Sequence, residues 1–82
     1  MIAPIDSARL QKEIDELSLI SEQPPPVVTR VLFSEADRQG REFVKRLFAQ
    51  AGLALRQDAV GNIFARWPGR DDSAPAVATG SH

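Results

Sequence analysis

The sequence predicts an α/β protein: two N-terminal helices, then a β-hairpin and a third buried strand, together an incomplete part of a larger α/β unit. Three observations carry this. Apolar residues recur at helical spacing in two stretches, alternate in two stretches further on, and then form a short unbroken run. Gly and Pro stand at the joints between these stretches as punctuation. The order α-α-β-β-β places helices against one face of a sheet.

The first helix is expected over about residues 6–21. Asp6 and Ser7 are both good N-caps. With Asp6 as the cap, Ile5 and Leu10 occupy the positions of a hydrophobic staple. Leu10, Ile14, Leu17 and Ile20 recur on one face, with Lys12, Glu13, Asp15 and Glu16 opposite. Pro24-Pro25-Pro26 closes the helix and begins an extended linker. Through Val27-Val28-Thr29-Arg30-Val31-Leu32 that linker is apolar enough to lie against something.

The second helix, about residues 34–51, carries the clearest pattern. Ser34 caps it, and Asp37 at N3 approximates a capping box. Gly40, Phe43, Val44, Leu47, Phe48 and Ala51 make one apolar stripe. Gly52 supplies the left-handed residue that ends many helices. Two strands follow, about 53–60 and 63–67, joined at Gly61-Asn62, a pair suited to a two-residue hairpin turn. Pro68 to Ser73 reads as a polar loop. Pro75-Ala76-Val77-Ala78-Thr79 reads as a buried strand of small residues. Nothing in the sequence offers that strand a further neighbour, so the sheet is unfinished.

Composition narrows the function. Ten basic and eleven acidic residues leave a charge of −1, which argues against a nucleic-acid partner. With no cysteine, disulfides and thiolate metal sites are excluded. The N-terminus lacks the basic and apolar regions of a signal peptide. No apolar run approaches the ~20 residues of a membrane span. A cytoplasmic protein is the expectation.

Few residues could carry chemistry. His82, the one histidine, ends a strand after Gly80-Ser81, and open α/β sheets place their sites beyond strand carboxyl ends. Alone, it reads better as an ordinary terminal residue than as a ligand, and Gly-Ser-His also arises as vector-derived sequence. Asp71 and Asp72 fit a solvated loop better than a metal site. Asp58 to Asn62 fits a turn. Arg30, Arg38, Arg41, Lys45 and Arg46, interleaved with Glu35, Asp37 and Glu42, fit a solvated helix face. Trp67 suits either an interface or plain packing. No phosphate loop, nucleophile elbow or His-Glu-x-x-His motif is present, and no residue is assigned a catalytic role.

The linear order of several short pieces is more informative. Thr29-Arg30, Phe33-Ser34-Glu35-Ala36-Asp37-Arg38, Ala51-Gly52-Leu53, Asp58-Ala59-Val60-Gly61-Asn62-Ile63-Phe64-Ala65-Arg66, Pro68-Gly69 and Thr79-Gly80-Ser81-His82 follow one another in order. Together they resemble the start of the N-carbamoyl-L-amino-acid hydrolases and allantoate amidohydrolases, in the aminoacylase/carboxypeptidase superfamily of dinuclear metal hydrolases.

The resemblance implies a catalytic domain with a smaller lid or dimerisation domain inserted later. It implies two divalent ions, zinc or manganese foremost, and hydrolysis of a carbamoyl or ureido C–N bond by a water that the ions activate. It implies a small-molecule ureido or carbamoyl substrate and a homodimer. His82 matches the ligand of the family's Gly-Ser-His-x-Asp motif. The Asp of that motif, the bridging Asp, the catalytic Glu and the other ligands have no counterpart here. The expectation is an N-terminal segment that is inactive by itself. The alternative is an interaction module, stand-alone or half of a split protein, pairing through its open sheet edge.

Overall fold

The computed structural model describes residues 4–81. The chain divides into two compact units, Met1–Leu47 and Phe48–His82.

In the first unit, helix α1 spans Ser7–Ser18. Asp6 caps it as expected: the Arg9 N–H donates to Asp6 Oδ1 at 3.0 Å. Side-chain pairs one turn apart, Arg9 with Glu13 and Lys12 with Glu16, brace its outer surface. The helix ends three residues before the expected bound of 21. Its chain tightens at Leu19 and Ile20, whose N–H groups reach the carbonyls of Glu16 and Leu17. Ser21 and Glu22 are then committed elsewhere. The Thr29 N–H donates to Ser21 Oγ at 2.8 Å, the Glu22 N–H donates to the Thr29 carbonyl at 2.9 Å, and the Val31 N–H donates to Glu22 Oε1 at 2.8 Å.

The stretch 27–31 is therefore a strap tied back to the end of α1, and it differs from expectation in exposure. Val27, Val28, Val31 and Leu32 remain about half exposed. Its backbone is paired, yet its apolar side chains lie open.

Helix α2 spans Glu35–Gln50. The Asp37 N–H donates to Ser34 Oγ at 3.2 Å, while Asp37 Oδ2 accepts the Phe33 N–H at 2.9 Å. This is a capping box shifted by one residue, since the carboxylate takes the N–H of the residue before the cap. Of the expected apolar stripe, Gly40 and Phe43 are buried, Val44, Leu47 and Phe48 half-buried, and Ala51 exposed. The core among the described residues is small: Ala36 and Phe43 alone are buried apolar side chains.

The second unit begins on the last turn of α2. The Leu53 N–H bonds the Phe48 carbonyl and the Gly52 N–H bonds the Ala49 carbonyl, with Gly52 at φ 79°. These two bonds define a Schellman end, as the glycine foretold.

Strands β1, Ala54–Gln57, and β2, Ile63–Arg66, pair antiparallel, with Arg56 opposite Phe64 and Gln57 opposite Ile63. The Arg56 guanidinium lies 4.0 Å from the Phe64 ring centroid. The hairpin connection is not the expected two-residue turn, and β1 is shorter than residues 53–60. Five residues, 58–62, make the loop. Asp58 organises it: Oδ1 accepts the N–H groups of Val60 and Asn62, and Oδ2 accepts the Asn62 side-chain amide. Gly61 does take the positive φ, at 91°.

The third strand is corrected. Residues 75–79 join no ladder, and every one is exposed, Val77 completely. A strand needs a neighbour for its N–H and C=O groups, and among the described residues none is offered. The described part of the fold is thus two helices and a two-stranded antiparallel sheet.

Candidate functional site

His82, the expected metal ligand, lies outside the described residues. The segment leading to it, Pro75 to Ser81, is exposed throughout. Among the described residues no three His, Cys, Asp or Glu side chains gather into a group that could hold a metal ion. The described residues do not by themselves fit a dinuclear centre.

The carboxylates are placed instead as local fasteners. Asp71 accepts both the N–H and the hydroxyl of Ser73. Glu35 is bound by Arg38 at 2.6 and 2.9 Å, with Gln39 adding a third bond. Asp37 holds the Phe33 N–H and pairs with Arg41 at 3.1 Å.

Their titration follows these contacts. The Arg38 bond pushes Glu35 down to about 2. The Phe33 N–H is the main cause holding Asp37 below the ordinary carboxylate range, with Arg41 adding to it. Asn62 lowers Asp58, and Ser73 lowers Asp71. Each of these bonds favours the ionised form. An acid or base working near neutrality needs the opposite perturbation, a carboxyl raised by burial. These four carboxylates hold the chain in shape and lack that property.

The cations follow the expected pattern with one exception. Arg38 and Lys45 pair with Glu35 and Glu42 on the surface of α2, and Arg46 lies 5.4 Å from the Phe43 ring centroid. Arg30 is different. It is half-buried, and its Nε and Nη2 donate to the carbonyls of Ile20 and Leu17 at 2.8 and 2.9 Å. A helix leaves its last carbonyls without partners and a partial negative charge at that end. Arg30 brings its positive charge to that end, giving the Leu17 carbonyl a second donor beside the Ile20 N–H and the Ile20 carbonyl just past the helix a donor of its own. Gly40 makes room for it: a Cβ there would stand 3.1 Å from Arg30 Cδ. No local sequence pattern marks this pairing, since Arg30 stands ten residues before Gly40 and thirteen after Leu17. Trp67, by contrast, is 87% exposed.

No family model matches the chain. Its relatives are hydrolases of C–N bonds. The ureidoglycolate hydrolase of Arabidopsis thaliana is 55% identical over 95% of the chain. An N-carbamoyl-L-amino-acid amidohydrolase of Paenarthrobacter aurescens is 42% identical over 90%, and the allantoate amidohydrolase of Escherichia coli 30% identical over 89%. The fold agrees: the crystal structure of AtUAH in complex with (S)-hydroxyglycine superposes with a TM-score of 0.85 at 51% identity, over 89% of this chain and 17% of that one. The same protein is also known in complex with glyoxylate.

The chain is thus homologous to the amidohydrolases that act on ureido and carbamoyl compounds, as the resemblance implied. It corresponds to a segment of them, spanning 16–18% of the length of these relatives. Among the described residues, no helix is long and apolar enough to cross a membrane.

Proposed function

We propose that this chain is the N-terminal segment of a metal-dependent hydrolase that cleaves the C–N bond of ureidoglycolate or a close ureido acid. The observation that carries this reading is the 55% identity to a ureidoglycolate hydrolase along 95% of the chain. It exceeds the 42% shared with an N-carbamoyl-L-amino-acid amidohydrolase. The two molecules bound to AtUAH are chemically consistent with it. Hydroxyglycine carries the hydroxyl, carboxylate and amine that remain once the ureido carbonyl leaves ureidoglycolate, and loss of ammonia turns it into glyoxylate.

In this reading His82 contributes one ligand to a pair of divalent ions, zinc or manganese, and the rest of a longer polypeptide contributes the others and the dimer contacts. A catalytic zinc takes about three protein ligands. A segment with a single histidine and no carboxylate cluster among its described residues is therefore inactive alone. The positioned pieces of this segment act on the fold, bracing the helices and the hairpin.

The test is a chimera in which residues 1–82 replace the matching segment of the A. thaliana relative. Ammonia release is followed with ureidoglycolate, N-carbamoyl-L-amino acids and allantoate. The chimera should turn over ureidoglycolate best, and His82→Ala should lower that rate by more than about 100-fold, the upper scale for losing only an outer-shell partner of a metal ligand. Turnover by the 82-residue chain alone would sink the inactivity claim. A soluble, folded chimera that hydrolyses none of the three would sink the substrate class.

A further inference from the structure

We draw no further inference here: the strongest candidate, the face of the β1–β2 hairpin on which the register gathers Arg56, Phe64 and Arg66, is an exposed surface patch, and nothing in the structure shows what covers it.

Discussion

Replacing Gly40 with alanine tests the relation between Arg30 and α2 most directly. Ala is favoured over Gly inside a helix by about 1 kcal/mol, so propensity alone makes the change stabilising. The new Cβ, however, would stand 3.1 Å from Arg30 Cδ and 3.3 Å from Nε, closer than ordinary contact. Arg30 has little freedom to yield, because the same Nε and its neighbour Nη2 hold the carbonyls of Ile20 and Leu17 at 2.8 and 2.9 Å. A hydrogen bond from a charged group contributes about 1.5–3 kcal/mol. Loss of one, set against the helical gain, leaves Gly40→Ala destabilising by about 0.5–2 kcal/mol.

The sharper expectation is a change of sign. In an Arg30→Ala background nothing contests the methyl, and Gly40→Ala should stabilise by about 1 kcal/mol. The coupling between the two sites is then about 1.5–3 kcal/mol. Urea unfolding followed by far-ultraviolet circular dichroism measures all four corners of the cycle. Amide exchange at Leu19 and Ile20 reports the α1 end locally. If Gly40→Ala stabilises with Arg30 present, the steric reasoning is refuted.

Other expectations concern the caps and turns. Gly52→Ala should cost about 1 kcal/mol in the same urea assay, since φ is 79° and no atom lies within 4 Å of the added methyl, so the penalty is purely one of backbone conformation. Glu35 should titrate near pH 2 by carbon-13 NMR. Its ordinary value is 4.5 and its folded value about 2, so the Arg38 pair is intact above the ordinary value and lost as pH falls toward 2. The first turn of α2 should thus hold its helicity from neutrality to about pH 5 and loosen between about 4 and 2; a midpoint above 4 would contradict the pairing. Asp58→Ala should speed amide exchange at Val60 and Asn62, the donors to its Oδ1, and unchanged rates there would show that the five-residue loop does not depend on its carboxylate.

The parts of this fold legible in the sequence were those decided within one turn of chain. Asp6, Ser34 and Gly52 mark helix ends through contacts three to five residues away, so residue identity and position sufficed. The hairpin was legible in kind but not in length, because Asp58 folds three donors of its own loop inward and shortens both strands. Residues 75–79 misled because small apolar residues announce burial without saying what buries them. Arg30 read as one more solvated cation, since its contacts depend on where Leu17 and Ile20 come to rest. Val27 to Leu32 read as covered for the same reason. As for the candidate site, the family pattern was visible in ordered short pieces, whereas a metal centre depends on ligands brought together from distant parts of a chain, which a local pattern does not display.

The span of the Arg30 bonds has a kinetic consequence. Leu17 lies thirteen residues before Arg30, Ile20 ten before, and the remaining side-chain bonds of the first unit are shorter still. Closing loops of this size takes well under a microsecond, and chains rich in short-range contacts fold quickly. During synthesis at about 5–20 residues per second, the two helices and the strap between them have ample time to assemble as soon as they clear the ribosome. In a polypeptide several times longer, this unit would be waiting, already shaped, for the sheet that is still to be made.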